Sequence, residues 1–160
     1  MSATGNTTGD PARPTIWRVV PVTTEDTYAV RLAVLRSDTP TKEVSFPQDR
    51  APGAVHLGVW IEGELVATST WVSCDAPDGT SPAVQLRGMA TAARLQGMGI
   101  GASLIAAGRA HAAGIGAGAV WANARDSALA FYEREGFDVI GEGFVDTVTE
   151  LPHHVVIARL

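Results

Sequence analysis

Three glycines at alternate positions in Gln96-Gly97-Met98-Gly99-Ile100-Gly101-Ala102 are the residues of this chain best suited to hold a charged group. Glycine lets the backbone come close to an anion, and a helix starting here would aim unpaired N–H groups and its positive dipole end at it. The segment is a candidate phosphate cradle. A glycine-rich turn with no ligand is the plainer reading. A P-loop is excluded, because it needs a lysine after its last glycine and the one lysine of the chain is Lys42. Gly97, Gly99 and Ala102 do satisfy the dinucleotide pattern G-x-G-x-x-A. That pattern also wants a carboxylate roughly 20 residues on to hold a ribose, where this chain reads Val120-Trp121-Ala122-Asn123.

Cys74, the lone cysteine, has no partner for an intramolecular disulfide, and no Cys/His grouping has zinc-site spacing. No metal is expected. With 12 Lys+Arg against 17 Asp+Glu the net charge is −5, the wrong sign for neutralising nucleic-acid or anionic-membrane phosphates. No apolar run approaches the roughly 18 residues of a membrane span. Residues 1–14 carry Ser, Thr, Gly, Pro and Asp where a secretory signal needs a basic start and an apolar stretch. They read as a disordered leader, and a cytoplasmic, reducing setting is expected. A chain 46% hydrophobic and 18% charged can bury a full core, so 15–160 reads as a single domain.

The elements that must position the cradle follow from residue patterning. A short β-rich run at 16–21 leads into an amphipathic helix at 25–36, whose apolar stripe reads Tyr28, Leu32, Leu35, widened by Val30 and Val34. Residues 38–53, broken by Pro40, Pro47 and Pro52, read as a loop anchored by Val44 and Phe46, of a length that usually shapes a binding site. Strands at 54–62 and 65–74 are joined by Glu62-Gly63-Glu64 as a hairpin. The loop 75–82 leads to a strand at 83–91, in which Gly88 marks a bulge or a close backbone approach. A small-residue helix at 98–113, a strand at 119–123, a helix at 126–135 closed by Gly136, and strands near 138–148 and 153–159 complete the chain. This order predicts an α+β domain, a mixed, mostly antiparallel central sheet flanked by helices.

A cradle entered from an antiparallel strand resembles the GNAT superfamily of acyl-CoA N-acyltransferases. Gln96-Gly97-Met98-Gly99-Ile100-Gly101 is similar to that family's Q/R-x-x-G-x-G/A signature, and Ala128-Leu129-Ala130-Phe131-Tyr132-Glu133-Arg134-Glu135-Gly136-Phe137 to its later A-x-x-F-Y-E-x-x-G-F segment. The two motifs stand in the family's order with a strand between them. A weaker likeness, through Leu86 to Thr91, Trp121 to Arg125 and Pro152-His153, points to a poorly characterised bacterial subgroup.

The resemblance implies an N-acetyltransferase moving an acetyl group from acetyl-CoA to a small-molecule amine or a protein amino group. A non-catalytic acyl-CoA-binding sensor is the alternative. The strand through Met89, Ala90 and Thr91 would splay from the strand ending at Asn123, with the pantetheine amides on the backbone of Met89 and Thr91 and the thioester carbonyl facing the N–H of Met89 or Ala90. The amides of Gly97, Gly99, Gly101 and Ala102, beside Met98, would hold the pyrophosphate, with a further bond from the Gln96 side chain. Tyr132 takes the place of the family's proton donor to the departing thiolate. Where many relatives carry a carboxylate before the loop this chain has Arg87-Gly88, which leaves His153 as the candidate base. Its alternation with His154 allows only one of the two to face the site, and a histidine capping the Pro152 turn is an equal reading. Arg125 would reach a coenzyme phosphate or cap its strand, and Arg94 or Arg134 would meet the 3′-phosphate at the rim. His56 and His111 read as packing or surface residues. The oligomeric state stays open, a homodimer being compatible.

Overall fold

The computed structural model describes residues 17–160. The leader at 1–14 and the start of the first expected strand lie outside them. Strand β1 (Val20–Pro21) is short, and a 3-10 turn at 25–27 leads into α1 (Tyr28–Leu35). Then come β2 (Val55–Ile61), β3 (Glu64–Ser73), β4 (Ala83–Thr91), α2 (Ile100–Gly114), β5 (Ala119–Arg125), α3 (Leu129–Arg134), β6 (Asp138–Val145) and β7 (Pro152–Arg159). They form a seven-stranded sheet in the order β1-β2-β3-β4-β5-β7-β6, antiparallel throughout except at β4–β5. The expected mixed sheet is present, though β1 is only the end of the expected 16–21 run and β6 stops at Val145, short of 148. Glu62 and Gly63 both take positive φ, the twist a two-residue hairpin needs.

The helices cover both faces. Trp71 points at α2, where Gly108 leaves room for it: a Cβ at Gly108 would stand 1.8 Å from the indole. Thr70, one residue earlier and so on the opposite face, meets Arg31 of α1. The main core lies beneath α2 and α3, around Trp71, Val66, Ile100, Leu104, Ile105 and Val120.

The stripe expected on α1 is rotated. Leu32 is 47% exposed, while Thr27, Val30 and Arg31 are buried. Arg31 turns inward because both terminal nitrogens of its guanidinium find partners there: both oxygens of Asp49 (2.8 and 2.9 Å), Thr70 Oγ1 (2.8 Å) and the Val44 carbonyl (2.8 Å). A hydrogen-bonded ion pair can occupy a core-facing position that an isolated charge cannot. The 38–53 segment therefore has Asp49 as a buried anchor, on a 3-10 turn at 47–50, in addition to Phe46. His56 extends the network to Thr70 (2.7 Å), the Asp49 carbonyl (3.0 Å) and Thr24 (3.1 Å), which makes it a packing residue.

Two local features open the sheet. Thr68 pairs with Ala90 but Thr70 with Arg87, so Gly88 and Met89 both stand opposite Ser69 in a β-bulge. Gly88 has φ +59, and a Cβ there would come within 2.6 Å of the Phe46 ring and 3.1 Å of Arg31 Nε. Sequence reading offered a bulge or a close approach; Gly88 provides both. Beyond the bulge β4 bends away, and its pairing with β5 covers only Ala83–Gln85 against Ala119–Trp121.

Candidate active site

The divergence of β4 and β5 opens a cleft of about 970 Å³ that reaches from the glycine loop to the 38–53 segment. At one end the loop needs its glycines for different reasons. Gly97 (φ +82) and Gly99 (φ +94) adopt left-handed conformations; a side chain would start in open space at Gly97 and in ordinary contact with Trp17 (3.8 Å) at Gly99. Gly101 has an ordinary φ, but a Cβ there would press on Phe131 (3.1 Å) and Met89 (3.2 Å). The helix begins at Ile100, two residues later than expected, and its first internal bond runs from Ser103 N to the Gly99 carbonyl (3.1 Å). The amides of Ile100, Gly101 and Ala102 are therefore left pointing out of the helix end, the arrangement that binds a diphosphate. Met98 is exposed in the turn. The residues present fit a nucleotide diphosphate.

Along the cleft wall, Ala92 N donates to the Val66 carbonyl (2.7 Å), so alternation turns the amide and carbonyl of Thr91 away from β3, toward the gap. Ala90 is in phase with Ala92, which directs its amide to β3, while Met89, in the bulge, lines the cleft. The Gln96 side chain, expected at the pyrophosphate, instead donates to the Thr91 carbonyl (3.0 Å) and so braces the loop against the strand. Asn123 is exposed on the facing strand and lines the cleft.

Tyr132 lines the cleft from α3 at 7% exposure, its ring edge-on to Phe131 (5.3 Å) and Phe137 (5.2 Å). Burial raises the proton affinity of its hydroxyl well above the ordinary phenol value. It remains a protonated donor across the neutral range.

Of the histidine pair, His153 (5% exposed) lines the cleft, while His154 bonds Asp126 Oδ1 (2.6 Å) on the other side. Strand alternation separates them, as expected. His153 stacks on Phe144 (5.8 Å), and its Nδ1 lies 2.8 Å from the Leu151 carbonyl. A carbonyl only accepts, so Nδ1 carries the hydrogen and neutral His153 keeps an Nε2 lone pair. Capping the turn and presenting a base are thus compatible roles.

The arginines take different places. Arg94 is paired with Glu64 (2.8 Å). Arg125 bonds the Leu35 carbonyl and Asp38 (3.2 Å), tying the end of β5 to the end of α1. Arg134 lines the cleft. A group that sequence reading missed stands at the end away from the glycine loop: the guanidinium carbons of Arg31, Arg36 and Arg87 lie 4.0, 5.7 and 5.6 Å from the Phe46 ring centroid. A charged residue beside the apolar positions of α1 was the available signal. Burial, and then repulsion from Arg125, lower the proton affinity of Arg36; burial also lowers that of Arg87, against the pull of Asp146 and Asp49. Asp146 is held below its ordinary carboxyl value although burial alone would raise it, because the Thr149 and Val148 amides (2.8 and 2.9 Å) bond its carboxylate.

Among the described residues no group of His, Cys, Asp and Glu could hold a metal, and no helix is long and apolar enough to cross a membrane. Residues 22–137 match the model of the Acetyltransferase (GNAT) family. The chain is 31% identical over 139 residues to the uncharacterised N-acetyltransferase YitI of Bacillus subtilis (strain 168), covering 86% of this chain and 92% of that protein. Its fold is similar to that of Escherichia coli ElaA (TM-score 0.71, 17% identity, 89% and 99% of the two chains). It is equally similar to that of an acyl-CoA N-acyltransferase from Pseudomonas aeruginosa (TM-score 0.71, 18% identity, 89% and 99%). The glycine loop, the opened sheet and the matched family model converge on one conclusion: this chain belongs to the GNAT family and is an acetyltransferase.

Proposed function

We propose that this protein transfers an acetyl group from acetyl-CoA to an amine by direct attack within a ternary complex. The observation that supports the reading is the parting of β4 from β5 after Gln85 and Trp121, since it joins the glycine loop, Tyr132 and His153 along one cleft. Acetyl-CoA, when bound, supplies a thioester carbonyl open to nucleophilic attack. The amides of Gly97, Gly99, Ile100, Gly101 and Ala102 hold the diphosphate. The free edge at Met89 and Thr91 accepts the pantetheine amides as an added strand would. Met89 N–H stabilises negative charge on the thioester oxygen as the amine attacks. His153 Nε2 takes the proton the attacking ammonium must lose, directly or through a water, and Tyr132 gives a proton to the departing sulfur.

The deciding experiment incubates the protein with acetyl-CoA and a panel of small amines and amino-terminal peptides while free thiol is measured. Amine-dependent, saturable thiol release is expected. Saturable coenzyme A binding with no such release would sink the catalytic reading and leave an acyl-CoA sensor.

A further inference from the structure

Arg87 stands where the bulge turns β4 into the cleft, and its environment is unusual for a half-buried cation. Among the described residues its Nε, like that of Arg31, is buried with no hydrogen-bond partner, but unlike Arg31 it has no carboxylate within ion-pair distance. The carboxylates that line this end of the cleft are turned to other work. Asp146 accepts from the Val148 and Thr149 amides, and Glu43 from those of Val44 and Ser45 (3.1 and 2.9 Å). Arg36, 5.7 Å from the centre of the same phenyl ring, donates to the Glu43 carbonyl (2.7 Å) and brings a second positive charge. Arg31 is neutralised by Asp49. Burying a guanidinium without a partner costs stability that a bound anion would return.

We propose that this end of the cleft recognises a carboxylate on the acceptor, received by Arg87 beside Phe46 with Arg36 adding to the field, so that the acetylated amine is an amino acid or a similar amino-carboxylate and not a polycation. This rests on the acetyl-transfer reading for the identity of the occupant, though the anion site itself does not. Arginine matches a carboxylate with two parallel donors, and the phenyl ring supplies a flat apolar surface against which an acceptor's carbon chain can lie. A di- or polyamine would bring a second positive charge toward Arg36 and Arg87.

The test separates the two readings by using product-like probes that need no turnover. With coenzyme A present, calorimetry compares N-acetyl derivatives of glycine, glutamate and phenylalanine with the matching N-alkylacetamides, which lack only the carboxylate. The carboxylated probes should bind about tenfold to a hundredfold more tightly, the range of a charge-assisted hydrogen bond. In Arg87→Gln that advantage should vanish while affinity for coenzyme A stays within about twofold, and Arg87→Lys should restore part of it. Equal binding of both probe sets to the wild type, or an advantage that survives in folded Arg87→Gln, overturns the proposal. Thiol release is then measured with amino acids and their decarboxylated amines. A binding preference without any release would keep the anion site and remove the transferase reading. Release that is indifferent to the carboxylate would do the reverse.

Discussion

At the scale of single residues, Tyr132 and Asp49 show how partners decide the outcome of burial for two acids. Tyr132 has no nearby cation, so its hydroxyl is held in the protonated form, ready to donate. Tyr132→Phe should lower turnover by about a hundredfold, the usual worth of one acid catalyst, and raise the Michaelis constant for acetyl-CoA much less. Steady-state kinetics would settle it, since unchanged turnover removes the hydroxyl from the chemistry. Asp49 is also buried, but the Arg31 guanidinium and the Phe46 amide outweigh desolvation and keep its carboxyl below the ordinary value. A carboxyl with a depressed folded value contributes stability that is complete above the unfolded value, near 3.9, and is lost as pH falls through the lower folded one. Asp49→Asn should cost about 3–5 kcal/mol by leaving Arg31 unpaired, and should flatten the fall of stability below about pH 4. Urea titrations of both proteins at several pH values would measure this. The role of Asp49 could not be read from neighbours along the chain, because Asp49 and Arg31 are 18 residues apart.

Among the elements, the glycines separate into distinct kinds of constraint. Gly97 and Gly99 have room for a side chain but left-handed backbones. Gly99→Val should therefore weaken coenzyme A binding by at least tenfold with little loss of core packing, as calorimetry and a thermal melt together would reveal. Gly101→Val is a poorer probe, since its side chain would collide with Phe131 and Met89. Gly108→Ala in α2 is the counter-case: it gains about 1 kcal/mol of helix propensity yet drives a methyl into Trp71. A net loss of about 1–3 kcal/mol is expected from overpacking, and a more stable variant would contradict the contact. Strand and helix order was legible because alternation, 3.6-residue periodicity and glycine punctuation are local signals. The face that α1 buries was not. Leu32 and Leu35 outscore Arg31 on any apolar scale, and only the partners supplied by β3 and the 38–53 segment reverse the choice.

For the molecule as a whole, the half of the cleft proposed for the coenzyme was legible because it is built from backbone, and backbone geometry leaves its mark as glycines at set intervals. The acceptor half was not, because it assembles side chains from α1, the 38–53 segment, β4 and the turn before β7. A ligand that binds only the folded state should raise stability by about 2.7 kcal/mol at a hundredfold excess over its dissociation constant. For a chain of this length that is a rise in Tm on the order of 5–10 °C, and coenzyme A at such an excess without any rise would contradict the cleft assignment. The early end of β4–β5 pairing has one more result. Past Gln85 and Trp121 the two strands present peptide groups that do not pair with each other in mid-sheet. Deuterium should enter the Met89 and Thr91 amides quickly in the empty protein and slowly once pantetheine lies between the strands, so the small molecule completes the sheet as a stave completes a barrel.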